Sequence, residues 1–193
     1  MLFLRKPTTE TIQAFLEAQG RLDLTYQAVG ATATHPPAGY VVDHTRIKLG
    51  EGGAVFDAAK SALGRWDQFR LGWVEARPGD TPIREGQTVA VLACSFGLWW
   101  LNACRIVTVF GDEGAVSRFG FAYGTLPDHV GTGEERFLVE WDREGGGVWY
   151  DILAFSRPRQ ALARLGYPLM RKKQRRFGRE SAAAMRRAVV TLA

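Results

Sequence analysis

Three histidines are the residues best able to exchange protons near neutral pH, and only one lies in a context that indicates a site. His35 lies in a proline-rich loop and His44 in a predicted strand, and neither stands at a motif spacing from a cysteine or a carboxylate. His129 lies in a predicted turn, five residues before the neighbouring acids Glu134 and Glu135. A histidine bonded to the backbone of this turn is one interpretation, and a histidine that contacts a ligand or acts in catalysis is the other.

Local catalytic motifs do not occur in the sequence. There is no GxSxG, no HExxH and no cysteine pair at metal-binding spacing. The glycine-rich segment 50–53 precedes a predicted helix, but it lacks the Lys-Ser/Thr of a phosphate-binding loop and is interpreted as a turn from strand to helix. No metal or cofactor is predicted, and an enzyme whose site is assembled only in space stays an open alternative.

The two cysteines and the hydropathy pattern predict a compartment. Cys94 and Cys104 both lie in apolar, strand-like runs, where a free cysteine behaves as a small buried hydrophobe, so both are expected to be reduced and buried. No apolar run approaches the roughly 20 residues of a membrane span. The first residues lack the long apolar stretch of a secretory signal. The sequence therefore predicts a cytoplasmic protein.

The net charge of +5 is distributed unevenly. Eleven of the 25 basic residues, but only one of the 20 acidic residues, lie between Arg157 and Arg187. Such asymmetry has three interpretations: a solvated face that pairs with the acidic remainder, a surface for nucleic acid, or a surface for an anionic membrane. The basic stretch named for the last two partners comprises Arg171, Lys172, Lys173, Arg175, Arg176 and Arg179.

Hydrophobic patterning predicts both helices and a run of strands. Helical spacing of apolar residues occurs after Pro7, again over 55–66, and from Leu169 to about Val190. The glycine-rich turns at 111–114 and 144–147 are too short for a parallel crossover, so the strands must pair antiparallel in sequence order. The predicted strands are 40–49, 71–76, 87–96, 102–110, 117–123, 136–141 and 148–155.

Alternation within one strand predicts curvature. Phe119, Phe121 and Tyr123 share one face, and small residues occupy the positions between them. An apolar concave face must be covered, and the last helix is the one element long enough to cover it. The predicted fold is therefore α+β, a curved antiparallel sheet of six to seven strands wrapped around a long C-terminal helix, as a single domain over residues 1–193. A helix lying across the opening would leave a cavity.

Several short motifs, taken in order, resemble a known family over roughly residues 22–188. They are Tyr26-x-x-Val29-Gly30-Ala31-Thr32, Pro37-Ala38-Gly39-Tyr40, Leu49-Gly50-Glu51-Gly52, Trp66, the block from Phe119 to His129, Gly133-Glu134-Glu135-Arg136-Phe137, the block from Tyr150 to Pro158, and Arg171-x-x-Gln174-x-x-Phe177. This pattern is similar to the "domain of unknown function nineteen-ninety" family. The resemblance implies a helix-grip fold similar to the START and birch-pollen-allergen (SRPBCC) superfamily, and it implies no settled activity.

The favoured hypothesis is a protein that binds a small, largely apolar ligand between the sheet and the C-terminal helix. Aromatic rings would supply apolar contact area, and tyrosine and arginine would orient a polar group. One alternative is binding of nucleic acid or an anionic membrane through the basic stretch, and another is a cavity enzyme of the cyclase or hydrolase type. The residues predicted to contact the ligand are Trp66, Tyr123, His129, Arg136, Tyr150 and Phe177.

Overall fold

The computed structural model describes residues 1–159 and 167–190. Its strands are β1 (Leu2–Phe3), β2 (Val41–Glu51), β3 (Val74–Arg77), β4 (Thr88–Ser95), β5 (Leu98–Phe110), β6 (Val116–Thr125), β7 (Gly131–Asp142) and β8 (Gly147–Pro158). Its helices are α1 (Thr9–Gln19), α2 (Gly53–Gly64) and α3 (Tyr167–Val190), with short 3-10 turns at Ala31–Ala33 and Asp67–Phe69.

Seven strands form one curved sheet in the order β2-β8-β7-β6-β5-β4-β3, and every neighbouring pair is antiparallel. The short β1 extends the sheet by pairing with the first part of β5. Strands β3 to β8 follow one another as a meander, and the connection through α2 places β2 beside β8. The predicted antiparallel pairing and the predicted curved sheet with a long C-terminal helix are confirmed.

The two faces of the sheet carry separate apolar clusters. On the convex face, α1 packs Ile12, Phe15 and Leu16 against β4 and β5, and its N terminus is capped by the Thr8 side chain, which accepts a hydrogen bond from the Thr11 amide. The concave face carries the larger cluster, which the rings of Phe121 and other buried aromatics fill. The concave face is therefore the one that packs against α2 and α3.

The two halves of α3 contact different parts of the fold. Its C-terminal half is packed into the concave cluster through Ala182, Met185 and Val189, all buried. Its N-terminal half carries the basic stretch and approaches the edge strand β2 at Gly178, where an added Cβ atom would lie 2.8 Å from the Thr45 hydroxyl. The packed half anchors the helix, and the other half spans the opening of the curved sheet.

Three expectations from the sequence need correction. β7 begins at Gly131, five residues before the predicted start, because β8 pairs with its glycine-rich end from Gly131 onward and β6 joins on the other side from Glu134. β5 begins at Leu98, so it includes the neighbouring Trp99 and Trp100. Both cysteines are free, but only Cys104 is buried as predicted, whereas Cys94 is half-buried. Across the described ranges, no helix combines the length and apolar character that crossing a bilayer requires.

Candidate functional site

A cavity of about 630 Å³ lies between the concave face of the sheet and the N-terminal half of α3. Its volume falls within the range of small-molecule sites, as the helix-across-the-opening arrangement predicts. β2, β6, β7 and β8 form its floor, β3 and β4 form one wall, and α3 lies across the top. The apolar side chains that line it include Phe69, Trp73, Val74, Val91, Ile152, Met170 and Phe177.

One row of residues crosses the floor of the cavity at right angles to the strands. The register pairs Asp43 of β2 with Ala154 of β8, Ala154 with Glu135 of β7, and Glu135 with Tyr123 of β6. All four residues line the cavity. Neighbouring strands lie about 4.8 Å apart, so the two carboxylates are separated by about two strand spacings, with only the methyl group of Ala154 between them. This polar row therefore places two carboxylates and one phenol hydroxyl on the floor of the cavity.

The next inward-facing row is apolar apart from one hydroxyl. It runs from Thr45 through Ile152 and Phe137 to Phe121. The Phe69 ring packs on this row at 5.3 Å from the Phe137 ring, measured between centroids. Phe177 of α3 in turn lies 5.2 Å from Phe69. The cavity therefore has a polar floor at one end and an aromatic, aliphatic wall beside it, as an amphipathic ligand would require.

Glu135 and Tyr123 form the polar centre of the row. The Tyr123 hydroxyl donates a hydrogen bond to Glu135 Oε2 over 2.7 Å. Burial raises the pKa of Glu135 from its ordinary value of 4.5 to about 7, and the negative charge of Asp43 adds to this rise although the bond from Tyr123 opposes it. Burial also raises the pKa of Tyr123 well above 10, so its hydroxyl keeps its proton. Near neutral pH Glu135 can therefore both give and take a proton.

Each acid of the row has a different environment. Asp43 is neutralised by Arg171 of α3, which donates two hydrogen bonds to its carboxylate. Glu135 has no cation at hydrogen-bonding distance in the described ranges, and its Oε1 accepts no hydrogen bond there. Glu135 lines the cavity, so this oxygen lies beside its free space.

The neighbouring Glu134 has its carboxylate on the other face of β7. The segment that holds it crosses the convex side, where Tyr26, Gly30 and Thr32 donate four hydrogen bonds of 2.5–3.0 Å to its two oxygens. Gly124, opposite Glu134 on β6, makes room for this segment, because an added Cβ atom would lie 2.1 Å from the Tyr26 hydroxyl. Glu134 is thus a structural acid that ties the segment to the sheet.

His129 lines the same cavity near the polar row. Its Nδ1 lies 3.0 Å from the Gly131 amide nitrogen and 3.1 Å from the Gly131 carbonyl oxygen, so it accepts from the amide in one tautomer of the neutral ring and donates to the carbonyl in the other. Burial lowers the pKa of His129 to about 4, so the ring is neutral at physiological pH. The histidine bonds to its turn, as one interpretation predicts, and it borders the cavity, whereas contact with a ligand or a role in catalysis stays a prediction.

The structure brings only part of the predicted site together. Tyr123, His129 and Phe177 line the cavity. Trp66 and Tyr150 instead lie in the concave cluster beneath it, each almost completely buried with its polar atom already bonded. The Trp66 indole donates to the Thr81 carbonyl at 2.8 Å, and the Tyr150 hydroxyl lies 3.0 Å from the Ser181 hydroxyl of α3. These two residues support the cavity and do not line it.

Arg136 was predicted at the cavity, and the structure places it on the convex face. It alternates with Glu135 along β7, and its guanidinium donates to the Thr32 carbonyl at 2.6 Å and to Asp151 at 2.8 Å. Asp151 also lies 2.7 Å from His44 Nε2. Because side chains alternate along a strand, Arg136 points away from the cavity. On the convex face it forms a structural ion pair with Asp151.

Glu135 and Asp43 were not among the predicted site residues. Period-two alternation carries the needed signal, because Phe137 is a core residue and Glu135 shares its face of the strand. The predicted strand begins at residue 136, so the alternation was not extended to Glu135. In the described part of the chain, no group of three or more His, Cys, Asp or Glu side chains could hold a metal ion.

The basic stretch borders the cavity and is partly paired. Arg171 bonds to Asp43, and Arg176 bonds to Glu180 one turn away at 2.6 Å. The contributors to the lining from this stretch are Arg171, Lys173, Arg175 and Arg179. The stretch thus pairs in part with acids, as one interpretation predicted, and it also places cations around the cavity.

A family model described as "Domain of unknown function (DUF1990)" matches residues 25–184, a range that includes the cavity residues. A UPF0548 protein of Dictyostelium discoideum is 35% identical over 207 residues, covering 98% of this chain and 96% of the relative. Two solved structures are similar at low identity. Ara h 8.0201 is 10% identical with a TM-score of 0.48, covering 79% of this chain and 99% of its own. Human STARD10 is 13% identical with a TM-score of 0.47, covering 96% and 81%.

Proposed function

The chain belongs to the DUF1990 family, and from the site built within the matched region we propose that the protein binds a small, largely apolar ligand carrying one polar group. The observation that carries this proposal is the polar row on the floor of a cavity whose walls are largely aromatic and aliphatic and which the cations of α3 border. Aromatic and aliphatic walls favour a hydrocarbon or ring system, and the open Oε1 of Glu135 favours a hydrogen-bonding group at one end of it.

The position of Ala154 offers a direct test. Its methyl group lies between Glu135 and Asp43, so Ala154→Leu would fill the space that the ligand's polar end occupies. We expect the affinity for the neutral fluorescent probe N-phenyl-1-naphthylamine to fall at least tenfold, because one added side chain of this size removes a comparable volume of ligand. Fluorescence titration of the purified protein measures the change.

A matched control lies one residue away. Leu153 is on the opposite face of β8 and outside the cavity lining, so Leu153→Phe should leave the probe affinity within twofold of the unmodified protein. Native mass spectrometry of freshly purified protein is expected to show an organic mass that is released on denaturation. If the unmodified protein neither binds the probe nor carries such a mass, the proposal is wrong.

A second candidate function is acid–base catalysis on the bound molecule. It is favoured by the open Oε1 of Glu135 and by a pKa of about 7, the value that suits a group that takes and returns protons at neutral pH. Glu135 would take a proton from the carbon beside a ligand carbonyl, leaving the C–H electron pair in an enolate, and would return a proton to the same carbon.

This step exchanges hydrogen without any co-reactant, so it can be followed in heavy water. We expect the protein to accelerate deuterium incorporation next to the carbonyl of phenylacetone, as measured by NMR, and Glu135→Gln to abolish the acceleration because an amide cannot accept the proton. His129→Gln should retain it. An exchange rate that equals the buffer rate, or that survives in Glu135→Gln, rejects catalysis by Glu135 and leaves ligand binding untouched.

A further inference from the structure

The tip of the β4–β5 hairpin carries a residue that the fold does not require. The two-residue turn Phe96-Gly97 has positive φ at both positions, 53° and 74°. Asn-Gly and Asp-Gly are strongly preferred in such turns, because only small or locally bonding residues adopt this backbone readily. Phe96 is also 82% exposed, so its ring adds little to the core. A large apolar side chain is therefore held in a strained and exposed position.

The ring of Phe96 lies beside the basic stretch of α3. Lys173 Nζ is 5.8 Å from the centre of the Phe96 ring and 5.0 Å from the centre of the Trp73 ring. Arg176 also lies over Trp73, at 4.5 Å. The one acid of this group, Glu180, accepts hydrogen bonds from both Trp73 and Arg176. The exposed ring thus lies next to Lys173, and Arg176 packs on the neighbouring Trp73 ring; we call Phe96, Trp73, Lys173 and Arg176 the hairpin patch.

Positive charge continues from the hairpin patch along α3. Lys172, Arg175 and Arg179 are exposed on the helix, and no acid occurs between Arg171 and Arg179. Trp73 and Lys173 also line the cavity, so the patch adjoins the space proposed for an apolar ligand. An apolar tip beside Lys173, with further exposed cations along α3, is complementary to a surface with negative headgroups over a hydrocarbon layer.

We propose that the hairpin patch, with the exposed cations of α3, docks the protein on an anionic phospholipid membrane, with the Phe96 ring inserted between the headgroups. Nucleic acid is the less suitable partner for this geometry. Binding of single strands needs several rings free for stacking along a groove, whereas the Trp73 ring already lies against Lys173 and Arg176. The Phe96 ring lies at the tip of a hairpin. From this position it can insert into a membrane interface, but it does not line a groove for a nucleic acid strand.

Co-sedimentation with vesicles tests the proposal. The unmodified protein should bind vesicles of phosphatidylcholine with 30% phosphatidylserine, should bind pure phosphatidylcholine at least tenfold more weakly, and should dissociate in 0.5 M NaCl because salt screens the charges. Phe96→Asn should reduce partitioning into the mixed vesicles about tenfold, since the ring contributes apolar insertion. Lys172→Glu should reduce this partitioning by a similar factor, because it replaces a positive charge with a negative one.

The controls separate docking from folding and from ligand binding. Asparagine suits the turn better than phenylalanine, so Phe96→Asn should unfold at an equal or higher temperature. Leu22→Asn removes another exposed apolar side chain, far from the basic stretch in sequence, and should leave vesicle binding unchanged. Binding of N-phenyl-1-naphthylamine in solution should be the same in Phe96→Asn, which distinguishes the surface from the cavity.

Two results would overturn the proposal. One is vesicle binding that is absent, or that is insensitive to both phosphatidylserine and Phe96→Asn. The other is single-stranded oligonucleotide binding at physiological salt that is lost in Lys172→Glu but retained in Phe96→Asn, without vesicle binding, which would assign the basic stretch to nucleic acid instead.

Discussion

Glu135→Gln is expected to stabilise the protein above pH 7 by up to about 3 kcal/mol and to have little effect near pH 4. The folded-state pKa of Glu135, about 7, is higher than the ordinary value of 4.5 that applies when the chain is unfolded. Between these two values the folded state holds the proton more tightly, so stability falls as pH rises through this window. Glutamine keeps an oxygen for the Tyr123 hydroxyl and removes the ionisation.

Urea unfolding of both proteins at pH 4, 6 and 8 measures this difference. His129 also titrates between the folded and unfolded states, with its folded pKa lowered, but its contribution is common to both proteins and cancels in the comparison. The stability difference should therefore grow steadily with pH. A difference that is the same at all three values, or a variant that is less stable at pH 8, would show that Glu135 is not the buried proton acceptor described above.

The same change one residue earlier is expected to have the opposite effect. Glu134→Gln should destabilise the protein by about 3 kcal/mol at pH 8, because one of the two carboxylate oxygens becomes an amide group that donates where an acceptor is needed. Two of the four donors from Tyr26, Gly30 and Thr32 would then face another donor inside the protein. At 3% exposure, the side chain of Glu134 leaves no room for water to replace the lost bonds.

Thermal unfolding gives a direct readout for this pair. A loss of about 3 kcal/mol corresponds to a fall in Tm of roughly 6–12 °C for a chain of this length. Because the two substitutions are chemically identical and adjacent, Glu135→Gln is the matched control for Glu134→Gln. Equal effects of the two on Tm at pH 8 would contradict the assignment of one acid to the cavity and the other to the convex segment.

The meander of β3 to β8 and the covering helix could be predicted because both depend on local features, whereas the position of β2 beside β8 was not predicted. The turns at 111–114 and 144–147 leave antiparallel pairing as the only option, and the alternation of Phe121 and Tyr123 with small residues marks the concave side. Helical periodicity located α3, apart from its first two residues. None of these inferences needs knowledge of which distant residues meet.

The polar row could not be predicted because it depends on register and on strand ends. Residues 131–135 are rich in glycine and polar side chains, which are poor strand formers by themselves. They become a strand because β8 pairs with all five of them and β6 pairs with the last two, Glu134 and Glu135. The burial of Tyr150 outside the cavity could not be predicted either. Its hydroxyl is bonded to Ser181, a residue that only the tertiary fold brings near.

The adjacent Glu134 and Glu135 also protect the β6–β7 hairpin against mispairing. A slip of one residue along β6 would turn the Glu134 carboxylate into the cavity without its donors and would expose Phe137 on the convex side. The slipped strand would also bury the charge of Arg136 in the aromatic cluster. A one-residue slip in either direction would therefore expose an apolar ring and bury a charge at once. The pair thus disfavours alternative registers and the aggregation that a weakly specified, glycine-rich strand end would invite.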